Sequence, residues 1–203
     1  MNEMTRTPKR HATTQAADGL PRLKWSLEEF ERLSELGFFG GINNEPERIE
    51  LIDGELVPMH AKGSRHEWVR GELQNSLTER LPRGLRLFAE PGWRPGGDRY
   101  MEPEIIICPA GFQQSAVPPA EVLSLIEVSD TSLKFDQGLK AKIYAMLGVR
   151  EYWVVDAKTL STRVHLEPAG NGYGKTLDVR ASETLTPHLI AGLAVSLGEL
   201  GIV

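Results

Sequence analysis

Hydrophobic and polar positions along the chain alternate between a helical period and a strand period, which predicts a mixed α/β protein. Ser26 and Glu29 have the spacing of a capping box. An apolar stripe continues from that point at intervals of three residues (Leu27, Phe30, Leu33 and Leu36). Two alternating segments, 48–52 and 55–59, flank Asp53-Gly54, a dipeptide typical of tight hairpins. These patterns predict an N-terminal helix followed by a β-hairpin.

The rest of the chain continues this alternation and becomes more apolar in its second half. An amphipathic pattern from Ser64 to Leu81 predicts a second helix, marked by Trp68, Leu73, Leu77 and Leu81. A helical period from about Ser132 to Leu147 predicts a third. Strands are predicted at 85–90, 103–108, 122–128, 152–156, 161–166 and 173–179, with a further short strand near the C-terminus. The segments 103–108, 122–128 and 152–156 are apolar enough for buried central strands.

The composition is that of one folded domain without disulfide bonds or structural zinc. The 203 residues include a single cysteine, Cys108. Residues 1–22 are polar and lack periodicity, so we expect a disordered tail before one domain at 23–203. No apolar segment is long enough to span a bilayer, and we expect a cytoplasmic protein. A formal net charge of −5 argues against coating nucleic acid by bulk charge, but it allows an enzyme that contacts nucleic acid locally.

Two carboxylates within apolar strands are the most informative polar positions. Glu104 opens one predicted central strand, and Glu127 lies near the end of another. A carboxylate in a buried strand is costly unless a cation or hydrogen-bond donors compensate its charge. If the two strands are neighbours, a divalent cation between the acids would relieve their repulsion, and oxygen ligands favour Mg²⁺ or Mn²⁺. The alternative is that both acids lie at strand ends in water.

The helix after Glu127 carries three polar side chains on one face. Asp136, Lys140 and Tyr144 follow one another at four-residue intervals. The same helix has apolar residues that need burial, so we expect Lys140 and Tyr144 at the edge of the packed side (Leu139, Ile143 and Leu147). A lysine held there could orient a water nucleophile or stabilise charge on a phosphate. The alternatives are a solvated Asp–Lys pair and, for His66 in the second helix, a structural role.

Taken in order, these segments resemble the PD-(D/E)XK nuclease superfamily and, within it, the Uma2 family of restriction-endonuclease-like proteins. The resemblance runs from WSLEEF at 25–30 to about Val179 and includes ELIDGELV at 50–57, IEVS at 126–129 and GVREYWVVD at 148–156. It implies a restriction-endonuclease-like mixed β-sheet flanked by helices. It also implies a Mg²⁺-dependent or Mn²⁺-dependent endonuclease with DNA as substrate. A homodimer would supply the two sites needed to cut both strands.

The resemblance also assigns roles to individual residues of this chain. Glu104 and Glu127 match the metal-binding acids, and the backbone carbonyl of Val128 matches a third ligand. Glu50 matches an upstream acid on the first hairpin strand, and Lys140 would position the attacking water or stabilise the phosphate. Three further residues are expected to bind substrate or support the site: His66, which would contact a phosphate, Asp136 and Tyr144.

Two departures from the superfamily pattern bear on activity. Ser129 stands where the catalytic lysine usually lies; Uma-type members relocate that lysine to the following helix, where Lys140 lies. Glu104 replaces the usual Asp and is one methylene longer, which could displace the metal. The alternative function is therefore a catalytically degenerate nuclease fold that acts as a nucleic-acid or protein interaction module. A small-molecule hydrolase with Ser129 or Ser132 as nucleophile is disfavoured because neither serine lies in a G-x-S-x-G turn.

Overall fold

The structure is a computed structural model that describes residues 23–40, 48–59 and 61–202. The predicted disordered tail at 1–22 lies outside the described residues. The helices are α1 (Leu27–Glu35), α2 (Ser64–Arg80), α3 (Leu133–Phe135) and α4 (Ala141–Met146), and a π-helical turn (Asp136–Lys140) joins the last two. The strands are β1 (Ile49–Ile52), β2 (Glu55–Pro58), β3 (Leu85–Ala89), β4 (Ile105–Pro109), β5 (Ser124–Ser129), β6 (Glu151–Asp156), β7 (Thr162–Ala169) and β8 (Gly172–Val179). Short 3₁₀ turns cover Gln114–Ala116, Pro119–Glu121 and Leu197–Glu199.

A six-stranded mixed sheet with the strand order β3-β4-β5-β6-β7-β8 forms the centre of the molecule. Strands β5 and β6 are parallel, and the other neighbouring strands of this sheet are antiparallel. The parallel pair needs a crossover connection, and α3, the π-helical turn and α4 provide it. Together with α1 and the separate β1–β2 hairpin, this arrangement confirms the predicted fold class.

Apolar side chains cover both faces of the central sheet. On one face, α2 packs through Val69, Leu73 and Leu77 together with apolar residues of the C-terminal segment. On the other face, α4 packs together with Trp93 and Met101. Neighbouring residues of a strand point to opposite faces, so Ile126 and Val128 face α2, whereas Leu125 and Glu127 face α4. The alternation of β5 therefore directs the Glu127 carboxylate toward the π-helical turn and α4.

The N-terminal hairpin is held against the loop that leads into β4. Leu51 and Tyr100 exchange two backbone hydrogen bonds of 2.8 Å, which bring β1 next to this loop. The turn of the hairpin uses left-handed backbone at Asp53 (φ 51°) and Gly54 (φ 83°), as the Asp-Gly signal predicts. The capping box of α1 is also present, since Ser26 and Glu29 each accept a hydrogen bond from the other's backbone N–H. This docking carries Glu50 of β1 to the central sheet.

Some expectations for the second and third predicted helices are wrong in detail. The helix predicted from Ser132 to Leu147 is interrupted by the π-helical turn, which adds one residue to a turn and rotates the faces of the helix. Leu139, expected to be buried, is therefore 50% exposed, while Lys140 and Tyr144 are fully packed rather than at the edge. Trp68, one of the residues that marked the apolar face of the second predicted helix, is 42% exposed on α2.

A further error concerns the C-terminal segment. Within the described residues, no strand follows β8, and Leu185 and Val195 form a single isolated bridge. The apolar residues of this segment still join the core, but they do so from irregular backbone. Among the described residues, no helix is both long and apolar enough to cross a membrane.

Candidate active site

Glu104 and Glu127 lie opposite each other on neighbouring antiparallel strands. The pairing of Ile105 with Ile126 places Glu104, one residue before β4, across from Glu127 in β5. Both side chains are buried, which rules out the alternative in which they lie in water at strand ends. The backbone N–H of Glu104 donates a hydrogen bond of 3.3 Å to Glu127 Oε2. The two acids thus meet at one end of the sheet, on the wall of a cavity of about 90 Å³.

A buried ammonium group joins Glu127 to the hairpin. Lys140 Nζ lies 2.9 Å from Glu127 Oε1 and 3.2 Å from Glu50 Oε1. Tyr144, one turn after Lys140, donates a hydrogen bond of 2.9 Å to Glu127 Oε1. Glu50 Oε1 also accepts a hydrogen bond of 3.0 Å from the backbone N–H of Glu102. The fold therefore brings together four of the residues that the sequence singled out.

Burial and neighbouring charges set the protonation states in this cluster. Burial raises the pKa of Glu127 to about 7, against the attraction of Lys140 and with the help of nearby carboxylates. Burial alone would lower the pKa of Lys140, but Glu127 and Glu50 outweigh it and raise that pKa above its ordinary value. Burial and the Glu127 carboxylate also raise the pKa of Tyr144. Lys140 and Tyr144 are therefore proton-bearing donors at neutral pH, while Glu127 can exchange a proton.

Asp136 lies on the same cavity wall but has different partners. Its Oδ2 accepts hydrogen bonds from Ser129 Oγ at 2.6 Å and from Ser132 Oγ at 2.5 Å. The Tyr152 hydroxyl donates a 3.0 Å hydrogen bond to the backbone carbonyl of Asp136. Asp136 thus fixes the connection from β5 to the π-helical turn. The solvated Asp136–Lys140 pair that the spacing left open is ruled out by the burial of both residues.

Glu104, which lines the same cavity, is paired with basic groups. His66 Nε2 of α2 lies 3.2 Å from Glu104 Oε1. Burial lowers the pKa of His66, but the hydrogen bond and charge of Glu104 outweigh it and raise that pKa above its ordinary value. Lys62 Nζ lies 2.9 Å from Oε1 and 3.0 Å from Oε2 of the same carboxylate. Arg70 Nε lies 3.7 Å from Glu104 Oε2.

The oxygen donors around this cavity suit a hard divalent cation in kind. Glu104, Glu127 and Val128 line it, and carboxylate and carbonyl oxygens are the ligands of Mg²⁺ and Mn²⁺. In the ranges that the structure describes, however, no three His, Cys, Asp or Glu side chains gather closely enough to hold one ion. Their charge is balanced by Lys62, His66 and Lys140 instead. Ligation by Glu104 would bring the ion close to the ammonium group of Lys62, which contacts both carboxylate oxygens.

Comparison with known proteins places the chain in a family. A family model described as "Uma2: Putative restriction endonuclease" matches residues 27–198. The chain belongs to the Uma2 family. This membership confirms the resemblance that the sequence motifs carry. No curated protein matches the sequence.

A solved structure shares the fold of this Uma2 chain. It is titled "Crystal structure of a putative nuclease belonging to DUF820", comes from Anabaena variabilis, and is 16% identical with a TM-score of 0.61. The match covers 86% of this chain and 96% of that chain. At this identity the likeness establishes the common fold, and the roles of individual side chains in the Uma2 chain stay predictions.

The Uma2 chain also has charged residues around Glu104 that the motifs did not identify. Lys62 precedes α2, Arg70 follows His66 by one helical turn, and Glu90 comes directly after β3. Glu90 is an ion-pair partner of Lys62. The signal available in the sequence was the spacing of residues 62, 66 and 70, which places them on one side of the start of α2. Because Lys62 lies outside a regular element, that spacing is weak evidence by itself.

Proposed function

We propose that this Uma2 protein is a divalent-metal-dependent endonuclease that hydrolyses DNA phosphodiester bonds. The observation that carries the proposal is the buried contact of Lys140 with Glu127 and Glu50, beside a cavity that Glu104 also lines. Burying such charges has a large desolvation cost, and well-packed apolar residues would serve a purely structural role at least as well. Membership of a family described as "Putative restriction endonuclease" and the fold shared with a structure titled "a putative nuclease" support this proposal.

We assign a separate role to each of the reacting groups. Mg²⁺ or Mn²⁺, held by Glu104, Glu127 and the Val128 carbonyl, would supply an activated water and offset the charge that develops on the phosphate. Lys140 keeps its proton because Glu127 and Glu50 raise its pKa, so it acts as a donor to the water or to a phosphate oxygen and not as a base. Its hydrogen bonds to Glu127 and Glu50 hold the ammonium group in place.

The supporting residues have positions that suit narrower roles. Tyr144 orients Glu127 through its hydroxyl group. Asp136 accepts hydrogen bonds from Ser129 and Ser132 and so fixes the β5 connection. The raised pKa of His66 favours its cationic form, which suits contact with a phosphate near Glu104.

Nicking of supercoiled plasmid DNA tests this proposal directly. Wild type, Glu127→Gln and the control Glu79→Gln are compared with Mg²⁺, with Mn²⁺ and with EDTA. Glu127→Gln keeps the shape of the side chain and an acceptor for Lys140 and Tyr144. The control changes a side chain on α2 that is 77% exposed. We expect metal-dependent nicking by wild type and control and loss of nicking in Glu127→Gln. Equal nicking by all three proteins would contradict the site, and parallel reactions with RNA of matched length test the choice of DNA.

One observation favours the second candidate, a catalytically degenerate nuclease fold that acts as a nucleic-acid or protein interaction module. Glu104 replaces the family's Asp, and both of its oxygens are held by Lys62. This candidate predicts no cleavage with any divalent metal. A module that binds nucleic acid would also give a DNA gel shift with an affinity that EDTA does not change. Cleavage that depends on metal and on Glu127 would exclude it.

A further inference from the structure

The cavity has two lysines, and their surroundings differ. Lys140 belongs to the π-helical turn and packs beneath Glu127, Glu50 and Tyr144. Lys62 lies two residues before α2, outside any helix or strand, and its side chain retains 13% exposure. Both side chains line the same cavity. The helical backbone therefore fixes Lys140, whereas Lys62 reaches Glu104 from a position outside any helix or strand.

The ammonium group of Lys62 contacts the carboxylate of Glu104, which is a metal ligand in the proposed function. Its Nζ lies 2.9 Å from Glu104 Oε1 and 3.0 Å from Oε2, so it contacts both oxygens at once. It also pairs with Glu90, whose backbone N–H donates a 2.9 Å hydrogen bond to the Glu104 carbonyl. Two adjacent acids thus hold one ammonium group at the cavity wall. A cation that binds both oxygens of Glu104 must meet Lys62 there.

The other basic groups around Glu104 belong to a packed helix and lie farther from its carboxylate oxygens. His66 and Arg70 belong to α2, whose apolar face is buried in the core, and they approach Glu104 at 3.2 and 3.7 Å. Arg70 is also held by Glu67 at 2.8 Å. Lys62 has the closest contact with Glu104 among these three, and its long side chain can turn toward the open part of the cavity by changing rotamers.

We propose that Lys62 is an exchangeable counter-cation of Glu104, which occupies the carboxylate while no divalent cation is bound and leaves it when one binds. The inference rests on the metal site of the proposed function. It means that the metal affinity of the protein is set by competition with a residue of its own chain. Loss of Lys62 then strengthens metal binding, because the competing positive charge no longer contacts the ligand.

Isothermal titration with Mn²⁺ at pH 7.5 tests the competition on the full chain. The proteins are wild type, Lys62→Met, Lys62→Arg and the control Lys175→Met, which changes an exposed side chain on β8. We expect Lys62→Met to bind Mn²⁺ about tenfold more tightly, the equivalent of about 1.4 kcal/mol for one charge-assisted contact. Lys62→Arg retains a cation that can contact both oxygens of Glu104, so it should bind Mn²⁺ no more tightly than wild type. The control should stay within about twofold of wild type.

The outcomes separate this inference from the proposed function. Equal or weaker binding by Lys62→Met, with metal-dependent nicking intact, overturns the competition and leaves the nuclease in place. Absence of Mn²⁺ binding in wild type and Lys62→Met alike overturns both. Binding by Lys62→Met in the absence of measurable binding by wild type supports the competition.

Lysine acetylation of the wild-type chain gives a second test that does not depend on the folding of a variant. Peptide mass spectrometry follows the acetylation rate of each lysine with and without Mn²⁺, and exposed Lys175 serves as the internal reference. We expect the rate at Lys62 to rise several-fold with Mn²⁺, while Lys140 stays protected. An unchanged rate at Lys62 under saturating Mn²⁺ overturns the inference.

Discussion

Removal of the buried ammonium group should make the stability of the protein strongly dependent on pH above neutrality. In Lys140→Met the side chain keeps its length, but Glu127 loses the cation 2.9 Å from its Oε1. Tyr144 and the Glu104 backbone remain as hydrogen-bond donors to Glu127. Glu50, the other partner of Lys140, keeps its hydrogen bond from the Glu102 backbone. The main electrostatic change therefore falls on Glu127.

The direction and size of this pH dependence follow from the raised pKa of Glu127. The pKa is about 7 in the folded protein against an ordinary value of 4.5, so folding favours the neutral carboxyl group. In wild type this contribution is fully present below pH 4.5, falls as the pH rises to about 7, and then stays constant. Without Lys140 the folded pKa rises further, and the loss continues above pH 7. The free-energy gap between wild type and variant should then widen by about 1.4 kcal/mol for each pH unit above 7, until the pH reaches the higher folded pKa of Glu127 in the variant.

Urea unfolding followed by tryptophan fluorescence measures this gap. The proteins are wild type, Lys140→Met and Lys140→Met/Glu127→Gln, unfolded in EDTA at half-unit steps from pH 6 to pH 9. Because the glutamine side chain that replaces Glu127 cannot ionise, the double variant should run parallel to wild type above pH 7. A constant gap between wild type and Lys140→Met across this range would refute the coupling of Lys140 to a buried, titrating Glu127.

Three further predictions concern single side chains. Tyr144→Phe removes one hydrogen bond to Glu127, so we expect about 1 kcal/mol lower stability in urea unfolding and a metal-dependent nicking profile shifted to higher pH. An unshifted profile would argue against the role of Tyr144 in orienting Glu127. Ser26→Ala breaks the capping box of α1 and should cost about 1 kcal/mol in the same unfolding assay, with nicking unchanged. Gly54→Ala should lower the stability by more than about 1 kcal/mol, because φ is 83° and the added Cβ would lie 2.8 Å from Lys24 Cβ. A melting temperature equal to that of wild type would contradict the turn geometry.

The sequence predicted correctly those elements that depend on interactions between residues close together in the chain. The capping box depends on Ser26 and Glu29, and the hairpin turn depends on Asp53 and Gly54. The acids of the site were found because a glutamate inside an apolar strand is costly, and Glu127 in β5 shows that signal clearly. Each of these inferences needs only a few neighbouring residues.

The burial of Lys140 could not be predicted from the helical period of the sequence around it. A regular helical period turns Leu139 inward, but the π-helical turn rotates the face and buries Lys140 instead. Glu50, whose carboxylate also contacts the Lys140 ammonium group, lies 90 residues earlier in the chain. Only the docking of the hairpin on the loop before β4 joins these residues, and no local pattern records that contact.

The basic groups around Glu104 were missed for a related reason. Lys62 lies outside any helix or strand, and the pairing of β3 with β4 is what brings Glu90 and Glu104 together around it. The prediction of a short strand near the C-terminus was wrong because apolar residues between Leu185 and Val195 join the core from irregular backbone. Hydrophobicity alone does not distinguish a buried strand from buried irregular backbone.

The most direct test of the central claim is the single-turnover cleavage rate of plasmid DNA by wild type and Lys140→Met at saturating Mn²⁺ and pH 7, with folding of both proteins verified by fluorescence. If Lys140 donates to the reacting water or phosphate, the rate should fall at least about 100-fold, while wild-type cleavage stops in EDTA. A variant that cleaves at the wild-type rate, or a wild type that cleaves equally well in EDTA, would contradict the account.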